Sequence, residues 1–208
     1  MIDKICKWLL KKVRKEMPDI DDERAEVILY GINLIVGEIP KILIMFLVAF
    51  ILQVGWLTIF AFISMLPYKT VAGGFHLKTH LGCTIGTFLV YIGNSILSKF
   101  IIIEPIWIKY LIGAVVWVIS IIMISLYAPA DTINLPILRK KERKIKKILS
   151  YIMATATLAA AMIINNNIIS NILLINVIIE TFSISKLAYI LTKNEYGYIA
   201  YARQEVIS

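Results

Sequence analysis

Six long apolar runs dominate this sequence and limit it to folds in which most side chains avoid water. Hydrophobic residues make up 59% of the 208-residue chain, and its mean hydropathy of +0.80 is too high for a soluble domain. Apolar runs of this kind cross a bilayer as helices, because a helix satisfies its own backbone polar groups. The sequence therefore predicts an all-α, multi-pass integral membrane protein with about six transmembrane or re-entrant helices in a single domain. The six runs cover residues 27–52, 56–67, 84–97, 106–126, 148–164 and 168–191.

Two of these runs are irregular. Pro40, in the stretch Gly37-Glu38-Ile39-Pro40-Lys41, removes a backbone donor and predicts an interruption within the first run. Residues 56–67 are short for a full crossing, which leaves a tilted or re-entrant helix open as an alternative.

Residues 1–17 combine an apolar helical stripe with basic residues on the remaining face. Ile5, Trp8 and Leu9 belong to the stripe, whereas Lys7, Lys11 and Lys12 lie beside it. This pattern is typical of an amphipathic interfacial helix on anionic membrane lipid. The net charge of +8 also fits binding to anionic lipid. Nucleic acid is the less favoured partner, because the sequence shows no basic groove interleaved with aromatic residues.

The connection at residues 139–147 carries seven basic residues and one acid, Glu142. By the positive-inside rule it is predicted to be a cytoplasmic loop. Counting crossings in both directions places both termini in the cytoplasm. The segment from His76 to Cys83 is then cytoplasmic too.

That segment holds both histidines and one of the two cysteines of the chain. A cysteine becomes a nucleophile when a nearby base accepts its proton, and imidazole is the usual base near neutral pH. His76 and Cys83 are seven residues apart, about 10 Å along one straight helix, which is too far for a hydrogen bond. A helix that begins at Thr79 solves this problem, because His76 then lies on a loop before the first turn, which contains Cys83. Pairing across a dimer is a second solution.

Other interpretations use the same residues. His80 is closer to Cys83 on a helix than His76 is, and His76, His80 and Cys83 together have the spacing of a zinc tripod in a membrane hydrolase. A transporter of small solutes or peptides would explain the six runs, Pro40 and Glu180.

Several motifs follow one another along the chain: Gly73-Gly74-Phe75-His76, then Cys83, then Tyr127-Ala128-Pro129-Ala130 ahead of Pro136 and a lysine-rich run. In this ordered set of motifs the chain resembles the accessory gene regulator B proteins. That family consists of membrane cysteine endopeptidases of Gram-positive quorum sensing. The resemblance implies a catalytic dyad at His76 and Cys83, no cofactor or metal, and a homodimer. It also implies a short propeptide substrate with an acidic C-terminal tail, which is cleaved through a thioester and cyclised to a thiolactone or lactone. The family often has arginine where this chain has Lys69. A guanidinium that can bind a carboxylate through two hydrogen bonds is then replaced by an ammonium group that acts as a point charge.

Lys69 and four further residues are candidates for substrate or oxyanion contacts. Gly73 and Gly74 break any regular helix and can present their N–H groups to an oxyanion. Asp131 can either orient His76 as a third member or shape its own turn. Glu180 lies inside the last apolar run, where a carboxylate is either functional or a structural group that is protonated or paired with a lysine.

Overall fold

The computed structural model describes residues 2–17, 20–77, 79–133 and 136–207 and confirms the all-α architecture. Within these residues the backbone is helical apart from connections, which include an isolated bridge between Gly73 and Ala130. The chain forms two compact units, Met1–Gly55 and Trp56–Ser208. The prediction of one membrane domain stays a prediction, because two compact units can belong to one domain.

The first unit begins with the predicted amphipathic helix. α1 covers Ile2–Glu16 and is followed by α2 (Asp22–Asn33). On α1, Ile5 and Trp8 are exposed beside the basic residues, and Lys12 Nζ lies 4.1 Å from the centre of the Trp8 ring. Cys6 is buried in the core of this unit. Binding of α1 to anionic lipid stays a prediction.

The interruption predicted around Pro40 is present. A π-helical turn, Leu34–Glu38, joins α2 to α3 (Ile39–Ile51), and Pro40 occupies the first turn of α3, where its missing N–H costs least. Lys41 pairs with Glu38 across this junction. The helical stretch Arg24–Ile51 is long and apolar enough to cross a membrane.

The second unit contains four more long apolar helices. In the part of the chain that the structure describes, these four helices and Arg24–Ile51 each have the length and composition of a membrane span, and Asn167–Ser183 is a shorter apolar helix. The run at 56–67 extends into an 18-residue helix with Pro67 inside it, which favours a full crossing over a re-entrant segment. The helices are α4 (Gly55–Ala72), α5 (His80–Phe100), α6 (Ile106–Tyr127), α7 (Lys140–Ile163), α8 (Asn167–Ser183), α9 (Lys186–Leu191) and α10 (Gly197–Ile207).

The basic segment at 139–147 is not the predicted loop. Arg139 is the N-cap of α7, and the helix begins at Lys140. Lysine, arginine and glutamate are good helix formers, and the pair between Glu142 and Lys146, 3.2 Å apart, has the i, i+4 spacing that supports a helix. The segment is therefore the polar start of a membrane-crossing helix.

α8 is the central helix of the second unit, although it has only 17 residues. Buried amide side chains connect it to its neighbours. Asn176 Nδ2 donates to Ala61 O on α4 at 2.9 Å, and Asn94 Nδ2 on α5 donates to Asn176 Oδ1 at 2.8 Å. Asn171 Nδ2 donates to Ile101 O at 2.9 Å. Such bonds between helices hold an apolar bundle in one register, so α8 fixes α4 at Ala61 and the C-terminal part of α5.

Candidate functional site

The loop between α4 and α5 carries His76 and is tied to the rest of the second unit through its main chain. Gly74 N donates to Ala130 O, and Ala130 N donates to Ala72 O, both at 2.8 Å. Phe75 N donates to Ser183 O, at the end of α8, at 3.3 Å. The loop is therefore held by the turn after α6 and by the C-terminus of α8.

Gly73 and Gly74 both have left-handed backbones, with φ of 82° and 130°, which favour glycine. A Cβ on Gly73 would collide with the carbonyl oxygen of Ala130, and one on Gly74 would lie 2.5 Å from Ser183 Oγ. The N–H of Gly73 donates to Lys69 O and that of Gly74 to Ala130 O. In this conformation the two glycines permit close approach of the backbone, and the predicted oxyanion donors are engaged within the chain.

Helix α5 starts where the sequence predicts. Thr79 is its N-cap, and the Thr79 hydroxyl accepts a hydrogen bond from Gly82 N at 3.1 Å. Cys83 N donates to Thr79 O at 2.9 Å, so Cys83 lies in the first turn. His76 is exposed on the preceding loop and Cys83 is half-buried. This confirms the loop-and-first-turn placement of the two residues, while their roles as base and nucleophile stay predictions.

His80 is the first residue of α5. In the described ranges, no group of three or more histidine, cysteine, aspartate or glutamate residues is placed to hold a metal ion. The three residues of the predicted zinc tripod therefore do not gather into such a site.

Lys69 and Glu180 form an ion pair next to this loop. Lys69 Nζ lies 3.3 Å from Glu180 Oε2, and Glu180 is fully buried whereas the Lys69 side chain is 36% exposed. Glu180 is thus paired with a lysine, as one of its predicted structural alternatives states, while the predicted substrate contacts of Lys69 and Glu180 stay predictions. The other oxygen, Oε1, and Ser183 Oγ are buried and have no hydrogen-bond partner among the described residues. The partly exposed Lys69 side chain therefore lies beside two buried polar atoms.

Removing the cation of this pair is expected to destabilise the protein. We predict that Lys69→Met lowers the free energy of unfolding by about 3 kcal/mol, the lower end of the range for an orphaned buried charge, since Lys69 is partly solvated. The double variant Lys69→Met/Glu180→Gln is expected to recover most of that loss. Thermal unfolding in detergent measures both, and equal melting temperatures for the parent and Lys69→Met would contradict the prediction.

Asp131 organises the turn after α6. Its Oδ2 accepts hydrogen bonds from Ile137 N at 2.9 Å, Tyr198 N at 3.0 Å and Arg143 Nη1 at 3.1 Å. Asp131 therefore shapes its turn, which is one of the two predicted alternatives. Its predicted contribution to orienting His76 or binding substrate stays a prediction.

A segment that the sequence analysis does not single out also reaches the site. We call residues 192–198 the C-terminal strap. Asn194 Nδ2 donates to His76 O at 2.8 Å. The Tyr196 ring stacks on Tyr189 with centroids 4.0 Å apart, and its hydroxyl donates to Ile184 O at 2.9 Å. Burial, and secondarily the neighbouring Tyr127 ring, raise the pKa of Tyr196, so this phenol stays a neutral donor. An asparagine in a short polar stretch after an apolar run is typical of a turn, and no pattern in the sequence links it to His76.

Comparison with known proteins agrees with the resemblance seen in the sequence. The profile of the family described as accessory gene regulator B matches residues 2–184. A putative AgrB-like protein of Clostridium perfringens is 27% identical over 150 residues, which is 71% of this chain and 70% of the relative. Accessory gene regulator protein B of Staphylococcus aureus is 27% identical over 183 residues, which is 88% of this chain and 91% of the relative.

A third relative, a putative AgrB-like protein of Clostridium acetobutylicum, is 25% identical over 159 residues, which is 76% of this chain and 74% of the relative. No solved structure gives a significant match. The family profile covers most of the chain, including the loop with His76 and the first turn with Cys83. The chain belongs to the accessory gene regulator B family of membrane proteins.

Proposed function

We propose that the protein is a membrane cysteine endopeptidase that processes a small quorum-sensing propeptide. Family membership supports a role in the accessory gene regulator system of quorum sensing. The observation that carries the finer proposal is the start of α5 at its Thr79 cap. That start separates His76 from the helix and sets Cys83 in the first turn, so that a base on a loop can act on a helical nucleophile.

The proposed reaction has two steps. His76 accepts the Cys83 proton, and Cys83 Sγ bonds to a peptide carbonyl carbon while the carbon–nitrogen bond breaks. The proton passes from His76 to the departing amine, which is the new N-terminus of the released tail. A thiol or hydroxyl within the bound peptide then attacks the thioester. Its own proton goes to the departing Cys83 sulfur, and a thiolactone or lactone forms.

Cyclisation requires that water does not consume the thioester first. Ala72 at the end of α4 and Gly74 in the loop are buried, and Cys83 is half-buried, so the nucleophile lies partly shielded from solvent. Exclusion of water lengthens the life of a reactive intermediate. Negative charge that develops on the substrate carbonyl would be stabilised near the N-terminus of α5.

Positive charge at this end of the unit suits a substrate with an acidic tail. The Lys69 side chain is partly exposed beside the loop. The first turns of α7 lie at the same end, because Lys147 Nζ donates to Ser125 O at 2.5 Å and Arg143 Nη2 to Pro129 O at 3.2 Å. Complementary charge steers encounter and fixes orientation. By the positive-inside rule, this basic end is the cytoplasmic one.

Thiol labelling tests the proposed dyad without a known substrate. In native membranes and a Cys6→Ala background, the rate of Cys83 alkylation by iodoacetamide is measured across pH for the parent and for His76→Ala. We expect alkylation at neutral pH to be about tenfold faster in the parent, because His76 accepts the thiol proton.

Two controls make this measurement specific. His80→Ala should label at the parent rate, and all variants should label equally after denaturation. Equal native labelling of the parent and His76→Ala would contradict an activated pair.

Cross-linking in native membranes would test the proposed homodimer, and a purely monomeric species would contradict it.

A further inference from the structure

The C-terminal strap offers a contact to the proposed base that family membership does not assign. Asn194 lies beyond residues 2–184, which the family profile covers. Its side-chain amide nevertheless donates to the His76 carbonyl oxygen at 2.8 Å. The two residues are 118 positions apart, so this contact depends on the tertiary fold.

A tight turn at the end of α9 fixes the backbone of Asn194. Lys193 has a left-handed backbone, with φ of 55°, directly after the last turn of α9. Lys193 N donates to Ile190 O at 3.1 Å and Asn194 N to Tyr189 O at 2.9 Å, which closes the helix end. Asn194 Nδ2 also donates to Thr192 Oγ1 at 2.9 Å. The amide therefore reaches His76 from a fixed turn.

The other end of the strap is anchored independently of His76. Gly197 N donates to Asp131 O at 3.4 Å, and Tyr198 N donates to Asp131 Oδ2 at 3.0 Å. The guanidinium of Arg143 lies 4.4 Å from the centre of the Tyr198 ring. Because Asp131 follows Ala130, which bridges Gly73, the strap and the loop are fastened to the same turn.

We propose that Asn194 is a positioning residue that holds the main chain of His76, so that the imidazole stays within reach of Cys83. The loop follows two glycines with left-handed backbones, and His76 is the second residue after them. A displacement of about 1 Å in a reacting group can cost about a hundredfold in rate. This inference rests on the proposed function.

The test compares variants that differ in one hydrogen bond. Asn194→Asp keeps the size of the side chain but replaces the donor with an acceptor, whereas Asn194→Gln keeps the donor. Tyr196→Phe is the matched control, because it removes a strap hydrogen bond of similar length, to Ile184 O, without touching His76. Each is made in the Cys6→Ala background, and Cys83 alkylation by iodoacetamide is followed across pH in native membranes beside His76→Ala.

We expect Asn194→Asp to slow alkylation at neutral pH by about tenfold, toward the rate of His76→Ala, with Asn194→Gln partly restored and Tyr196→Phe at the parent rate. Equal labelling after denaturation and equal melting temperatures would show that folding is intact. If His76→Ala slows labelling and Asn194→Asp does not, the positioning role is overturned while the dyad stands. The same is concluded if Tyr196→Phe slows labelling as much as Asn194→Asp. If His76→Ala has no effect, the dyad and the positioning role are both overturned.

Discussion

Replacing Cys83 by alanine is expected to reduce propeptide cleavage by at least about a thousandfold, because Cys83 supplies the sulfur of the proposed thioester. His76→Ala should cause a loss of similar size, since base and nucleophile act as a unit. His80→Ala should retain activity within a few-fold. The measurement is co-expression with a tagged candidate propeptide, a short amphipathic peptide with an acidic tail from an adjacent reading frame, followed by mass spectrometry of the products.

The same assay separates the proposed peptidase from its alternatives. Cleavage should persist in the presence of EDTA, whereas a zinc-dependent hydrolase would lose activity to the chelator and to His80→Ala. A transporter would move its substrate at the same rate after Cys83→Ala. Full cleavage by Cys83→Ala would refute the proposed mechanism.

The second large effect is expected from Gly73→Ala. A left-handed backbone costs a residue with a Cβ about 1–2 kcal/mol, and the added methyl would collide with the carbonyl oxygen of Ala130. Relief of that collision separates the loop from the turn after α6 and breaks the hydrogen bond of Gly74 N to Ala130 O. We expect stability to fall by about 3 kcal/mol and cleavage by about a hundredfold.

Gly93→Ala is the matched control for this prediction. Gly93 lies within α5, and a Cβ there would meet nothing within 4 Å. The same substitution should therefore leave cleavage unchanged and stability unchanged or slightly higher, because alanine favours a helix over glycine. Detergent unfolding and the co-expression assay measure both effects. Comparable losses in Gly73→Ala and Gly93→Ala would show that the left-handed loop has no special importance.

The sequence predicts the membrane helices and the start of α5 well because both depend on local patterns. Apolar runs and Pro40 specify the spans and the π-helical junction, and Thr79 specifies a cap through its own hydroxyl. The N-terminal turns of α7 were predicted as a loop, because a cluster of charges after an apolar run indicates a connection. Helix propensity of lysine and glutamate outweighs that signal.

The remaining parts of the site depend on contacts between distant segments. The bonds from Asn194 Nδ2 to His76 O and from Phe75 N to Ser183 O join segments that are far apart in the sequence, and they follow from how α8 and α9 pack. Lysine pairing of Glu180 is among the sequence alternatives, but the choice of Lys69 as its partner requires the bundle. Single-sequence patterns carry no information on which polar groups meet when they are 111 positions apart.

The length of α8 has a consequence for how a substrate reaches the loop. Its 17 residues extend about 25 Å at ~1.5 Å per residue, less than the ~30 Å of bilayer hydrocarbon. Either the bilayer thins around this helix, or one of its ends lies below the level of the headgroups. If the end at Ser183 is the one that lies below the headgroups, the loop that this end holds through Phe75 is close to acyl chains. A peptide with an apolar face would then approach sideways along the membrane, and its affinity for the lipid would set its concentration at the loop.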